Sequence, residues 1–166
     1  IDPGSRFLID SLSANIRVSE TERLLDLGCG NGTLAVSMAL LSPSAHIAAV
    51  DQSASAVRAT RVSAMLNGVE DRVSVRQLDG TDGIPDSSVH QVVLNPPFHT
   101  GHAVDPAIAH KLFEHASRVL VPGGKLWVVF NSFLRYQPVL KRIVGPTRQV
   151  SRNKKFTVTV SERVSH

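Results

Sequence analysis

The sequence predicts an α/β fold, a doubly wound and mostly parallel sheet, and three observations carry that expectation. Short apolar runs alternate with segments of helical spacing from residue 23 to about 145, the pattern of successive βαβ units. The turns between them are short. Two further runs near the end, "TRQVSR" and "KFTVTV", are separated by too few residues for a crossover, so they must be antiparallel neighbours.

Taken in order, "RLLDLG" (23–28) reads as a short buried strand, followed by a glycine-rich turn and a helix over "TLAVSMALLS" (33–42). "HIAAVD" (46–51) is the second strand. Ser53 then caps a helix through "ASAVRATRVSAMLN", and Gly68 stops it. "RVSVRQLD" (72–79) alternates apolar and polar residues as a third strand would, and "VHQVVLN" (89–95) is the fourth. Asp105 and Pro106 open a helix over residues 105–120. The turn Pro122-Gly123-Gly124 launches "KLWVVFN" (125–131), and "FLRYQPVLKRIVG" (133–145) reads as a helix interrupted near Pro138. The closing hairpin brings the count to seven strands.

Length and composition fit one globular domain: 166 residues, 42% hydrophobic and 19% charged. No window approaches eighteen uninterrupted apolar residues, and "IDPGSRFLID" lacks the layout of a signal peptide. Cys29 is the only cysteine, so no intrachain disulfide forms. These features predict a cytoplasmic protein with no membrane partner. The net charge of +4 is uneven. Residues 135–166 hold eight of the basic side chains (Arg135, Lys141, Arg142, Arg148, Arg152, Lys154, Lys155 and Arg163) against Glu162 alone. A basic end on a mildly acidic body points to a polyanion partner.

In doubly wound sheets ligands sit at the carboxyl ends of the strands. There "LLDLGCGNG" places Gly28, Gly30 and Gly32 between a strand and a helix, letting the backbone approach a ligand closely. The third glycine comes one residue too early for a dinucleotide loop, and Asp26 stands two residues before the first. An acid there suits a cationic ligand better than a pyrophosphate, and S-adenosylmethionine carries an ammonium, a sulfonium and no phosphate. Asp51 closes the second strand, where it can accept two ribose hydroxyls. Asp79 closes the third, where it can accept from an adenine amine, with Gly80 giving room.

The fourth strand ends in Asn95-Pro96-Pro97-Phe98. Two prolines remove two N–H donors and restrict Asn95 as well, which leaves a stiff row of acceptors. Such a row suits a group that donates hydrogens, such as the exocyclic amine of a nucleobase. With the Asn95 side-chain oxygen and the Pro96 carbonyl accepting its two hydrogens, the amine lone pair turns toward an electrophile, and Phe98 stacks on the flat base.

"LLDLGCGNG", the "VD" at 50–51 and "NPPF" at 95–98 together resemble the class I S-adenosylmethionine-dependent methyltransferases. The resemblance implies their Rossmann-like seven-stranded sheet with an antiparallel last strand. It also implies that Asp26, Gly28, Gly30 and Gly32 surround the methionine part of the cofactor, that Asp51 holds the ribose and that Asp79 holds the adenine. The longer run "NPPFHTGHAVDPAIAHKLFEHASRVLVPGGKLWVVFNSFLRY", with "IDPGSRFLID" and "NKKFTV", resembles the bacterial ribosomal RNA guanine-N2 methyltransferases.

That likeness implies methyl transfer to a guanine N2, with ribosomal RNA or a ribosomal subunit as partner. It implies further that residues 1–166 are one catalytic domain, the C-terminal piece of a two-domain protein, working as a monomer. His99 would touch RNA or take a proton, and Arg148, Arg152, Lys154 and Lys155 would contact phosphates. Asp2, Gly4 and Phe7 sit where the family covers its cofactor. Adenine-N6 or protein-glutamine methylation, and a catalytically silent RNA-binding module, stay open as alternatives. No metal is expected, because His99 and His102 lack a third ligand nearby.

Overall fold

The computed structural model describes residues 2–97 and 105–165. Its elements are α1 (Pro3–Asn15), β1 (Arg23–Leu27), α2 (Thr33–Leu41), β2 (His46–Asp51), α3 (Ala54–Leu66), β3 (Val73–Gln77), β4 (Val89–Leu94), α4 (Pro106–Val119), β5 (Leu120–Asn131), α5 (Tyr136–Ile143), β6 (Thr147–Arg152) and β7 (Phe156–Glu162). The seven strands form one sheet in the order β3-β2-β1-β4-β5-β7-β6. β1 to β5 run parallel. β7 enters between β5 and β6, antiparallel to both.

Alternation along the central strands divides the core between the two faces of the sheet. Leu24, Val93, Trp127 and Val129 face the layer of α1, α2 and α3 with Leu8, Leu12 and Leu34. Leu25, Leu27, Val92, Leu94, Val128 and Phe130 face α4 and α5 with Phe113 and Leu140. Each fully buried Leu or Phe contributes about 1.5–3 kcal/mol relative to exposure. The Trp127 indole N–H is satisfied inside this core by Gln91 Oε1 at 2.9 Å.

Local caps form as the sequence predicts. Ser53 Oγ accepts from the Ala56 amide, Asp105 accepts from the Ala107 amide, and Gly68 stops α3 at φ +69°. One segment carried no reading, and three readings need correction. The segment before β1 is a helix of 13 residues, α1, capped by Asp2 with Pro3 in its first turn. β3 ends at Gln77, so Asp79 stands two residues beyond it.

Pro122-Gly123-Gly124 does not precede β5 but lies within it: Leu120 faces Val89 and Lys125 faces Gln91, so the surplus residues bulge out. There Gly123 N donates to Arg163 O, and Arg163 N to Gly124 O, which keeps the bulge tied to the chain beyond β7. α5 is not interrupted at Pro138. It begins at Tyr136, and a proline in the first turn removes only an N–H that the helix leaves unpaired anyway. No helix of the described residues is long and apolar enough to cross a membrane.

Candidate active site

The carboxyl rim of β1, β2 and β4 gathers most of the predicted ligand residues. Asp26 is fourth in β1, on the sheet face covered by α1 to α3, and only 1% exposed. Its Oδ2 has no hydrogen-bond partner among the described residues. Burial pushes its carboxyl up from 3.8 to about 7; the nearby Asp51 charge adds to the rise, and a hydrogen bond from the Ala35 amide opposes it. A buried carboxylate oxygen with nothing to accept is a place where an incoming cationic donor gains most.

The glycine loop is locked onto β2. Gly28 N and Cys29 N both donate to Val50 O at 2.9 Å, and Gly30 N donates to Asp51 Oδ2 at 3.0 Å. Asp51 Oδ1 accepts from Ser53 N at 2.9 Å, so one carboxylate braces the loop and the start of α3 together. Further along, Gly32 N donates to Cys29 O and Thr33 N to Asn31 Oδ1. The donors expected at this turn for an anion are therefore largely engaged within the chain, which argues against a pyrophosphate and leaves Asp51 with unused lone pairs for a diol.

Two of the three glycines are open above. A Cβ at Gly28 or Gly30 would meet nothing within 4 Å, whereas one at Gly32 would lie 2.9 Å from Thr60 Cα. Gly28 and Gly30 thus present bare backbone, and Gly32 lets α3 close on the loop. Thr60 Oγ1 lies within reach of both Cys29 Sγ and Gly30 O, and burial pushes the Cys29 thiol up to about 11. That thiol is a packing group. Asp79 is exposed beyond β3, and the space at Gly80 is filled by the His115 ring, 2.7 Å from where a Cβ would be.

At the end of β4, Asn95 Nδ2 donates to Asp2 Oδ2 at 2.8 Å and to Ser5 Oγ at 3.0 Å. A carboxylate can only accept, so the amide is oriented with its nitrogen toward α1. Asn95 Oδ1 then has no donor among the described residues. Asp2 Oδ2 also accepts from Ser5 N at 2.9 Å, so the cap of α1 doubles as the anchor of Asn95. Gly4 makes the approach possible: a Cβ there would stand 3.2 Å from Asp2 Oδ2 and 3.5 Å from Asn95 Nδ2. By the alternation of the strands, Asn95 follows Val93, which pairs with Asp26 across the ladder, onto the same face as Asp26.

Phe98, His99 and His102 lie outside the described residues. Pro96 is half-buried and Pro97 exposed. Of the four basic candidates, Arg152, Lys154 and Lys155 sit at the end of the β6–β7 hairpin that adjoins the carboxyl end of β5, since Arg152 faces Thr157 and Phe156 faces Asn131. Arg148 does not join them. It lies ~13 Å back along β6, beside a cleft lined by Lys125 and Glu162 near the other rim. Another cleft, lined by Arg23, His46 and Arg72, opens at the amino ends of the strands and touches none of the strand-end acids. Among the described residues no three His, Cys, Asp or Glu side chains cluster as metal ligands would. Ser5 is the site residue that the sequence did not single out; its one signal is its place three residues after the capping Asp2 of an Asp-Pro pair.

A seven-stranded sheet with an antiparallel insertion, an acid-flanked glycine loop on β1 and an Asn-Pro-Pro end on β4 define the methyltransferase class. The sequence matches the methyltransferase small domain family over residues 1–160, and the chain belongs to that family. It is 40% identical over 158 residues to the ribosomal RNA large subunit methyltransferase G of Streptomyces coelicolor, an alignment covering 95% of this chain and 41% of that protein. The protein of the same name from Pseudomonas aeruginosa is 37% identical over 158 residues, with the same coverage of each chain.

This chain therefore spans about 41% of the length of those relatives. Among solved structures, the T. thermophilus 16S rRNA N2 methyltransferase RsmC, in complex with AdoMet and guanosine, superposes with a TM-score of 0.85 at 26% identity, over 98% of this chain and 43% of that one. The S-adenosylmethionine-dependent methyltransferase SibL, in its apo form, shares the fold at 18% identity with a TM-score of 0.76, over 97% of this chain and 56% of that one.

Proposed function

We propose that this domain transfers a methyl group from S-adenosylmethionine to the exocyclic N2 of a guanine in ribosomal RNA. The observation that carries the reading is the orientation of Asn95, whose nitrogen is bound to Asp2 and Ser5 so that its oxygen remains to accept. The names of the relatives support ribosomal RNA as the substrate, and the guanosine bound to RsmC supports guanine as the base.

The residues fit the cofactor. Asp26 would take the ammonium of its methionine part on the unpartnered Oδ2, bare backbone at Gly28 and Gly30 would lie along it, and Asp51 would accept the ribose hydroxyls. Asp79, exposed past β3, would meet the adenine edge from the solvent side. When bound, the sulfonium supplies an electrophilic methyl carbon, whose bond to sulfur breaks as the bond to nitrogen forms. Asn95 Oδ1 and the Pro96 carbonyl accept the amine hydrogens and draw the nitrogen toward a pyramidal form with its lone pair aimed at that carbon. Orientation and fixed dipoles lower the barrier, and no strong base is needed. The methylated nitrogen then sheds its proton to water. Phe98, from its place after the prolines, is proposed to stack on the base.

Nucleoside mass analysis of ribosomal RNA incubated with the protein and the cofactor tests the reading. N2-methylguanosine is expected. Methyladenosine alone, or methylated glutamine in a ribosomal protein, would replace the substrate, and RNA binding with no transfer would reduce the domain to a silent module.

A further inference from the structure

Phe133 stands two residues past the end of β5 and is 79% exposed, the one aromatic among the large apolar side chains that the described residues leave in water. Its position is fixed. Ser132 N donates to Lys155 O at 2.8 Å and Ser132 Oγ to Asn153 O at 3.0 Å, so the residue before Phe133 is pinned to the β6–β7 turn. That turn presents Lys154 and Lys155, both exposed, and Arg135 and Arg152 are exposed close by in sequence. Among the described residues none of the four is in an ion pair, the only such pair being Arg118 with Asp86.

The same surface leads to the strand end that holds Asn95. Lys155 Nζ lies 5.3 Å from the centroid of the Phe156 ring. Phe156 stacks on Phe7 with centroids 6.2 Å apart, and its Cε1 lies 3.4 Å from where a Gly4 Cβ would stand, a point that is also 3.5 Å from Asn95 Nδ2. A row of contacts therefore runs from Asn95 through Gly4 and Phe156 to the turn beside Phe133.

We propose that Phe133, Lys154, Lys155 and Arg135 form a docking platform for single-stranded RNA, on which a base of the strand carrying the target guanine stacks on Phe133 while its phosphates meet the cations. The platform rests on the reading of the adjoining site as an RNA methyltransferase. An exposed ring favours any flat partner, but unpaired cations on the adjoining turn and at Arg135 select a polyanion, and a nucleic-acid strand supplies flat faces and negative charge at once.

The test uses the intact protein and a guanine-containing single-stranded RNA oligonucleotide, with affinity read by fluorescence anisotropy across a KCl series and methyl transfer measured in parallel. Phe133→Ala should weaken RNA affinity about tenfold, leave kcat at saturating RNA and cofactor affinity unchanged, and be rescued by Phe133→Trp but not by Phe133→Leu. Lys154→Ala and Lys155→Ala should each lower the slope of log Kd against log salt by about 0.7. Wild-type RNA affinity in Phe133→Ala overturns the platform, as does a loss confined to kcat. If the wild type transfers no methyl to guanine, the proposed reaction fails, yet the anisotropy series still decides whether Phe133 binds RNA.

Discussion

Asn95 Nδ2 donates to Asp2 Oδ2 at 2.8 Å, a bond between residues 93 positions apart that ties the cap of the first helix to the end of the fourth strand. Asp2→Ala should lower kcat about tenfold or more while cofactor affinity holds, and removal of the cap should cost about 1 kcal/mol of stability. Asn95→Ala should lower kcat by about a hundredfold or more, again with cofactor affinity retained. If Asp2 acts through Asn95, the double variant will be no slower than Asn95→Ala, so additive losses in the cycle would sink the coupling.

Asp26 predicts a pH dependence of a definite sign. Its folded carboxyl, near 7, lies above the ordinary 3.8, so between those values the folded state holds a proton that the unfolded state has lost. Stability of the ligand-free protein should fall as pH rises from about 4 to 7 and level off above. Asp26→Asn should remove that limb, as read from urea midpoints at pH 5 and pH 8. A cation bound at Oδ2 favours the ionised form, so cofactor affinity should strengthen through pH 7 with proton release, visible by calorimetry in buffers of different ionisation enthalpy.

Asp51→Ala should raise the cofactor Kd about tenfold to a hundredfold, the worth of charge-assisted hydrogen bonds at 1.5–3 kcal/mol. Because Asp51 also holds Gly30 N and Ser53 N, hydrogen exchange at those two amides should quicken in the variant. An unchanged Kd with quickened exchange would confine Asp51 to bracing the loop.

Gly32→Ala should cost about 2–4 kcal/mol, combining a left-handed backbone at φ +86° with a Cβ driven against Thr60. Thermal unfolding should shift down by about 5–15 °C. Gly28→Ala carries the left-handed backbone without the clash and should lose less stability.

The sequence made legible whatever is encoded within a few residues. Ser53, Gly68 and the Asp105-Pro106 pair set helix ends by contacts with their own neighbours, and β2 could be bounded from its apolar run alone. Pro122-Gly123-Gly124 misled because a turn and a bulge use the same residues; only pairing with Val89 and Gln91 distinguishes them. α1 went unread although Asp2-Pro3 repeats the pattern of Asp105-Pro106, since the apolar signal after it is weak. In the site, Asp26 and the glycines declared themselves by spacing. The link from Asn95 to Asp2 and Ser5 did not, because it depends on α1 crossing to the end of β4, and no local pattern reports a contact of that separation.

The strand order has a colloidal consequence. With β7 inserted beside β5, the two open borders of the sheet fall to β3 and β6, each bearing an exposed arginine, Arg76 on one and Arg148 and Arg152 on the other. Charge along a border repels a second copy seeking to add its own strand. Two of the cations that give the chain its basic end, Arg148 and Arg152, thus also guard the β6 border, as Arg76 guards β3, against growth of the sheet into an eighth strand.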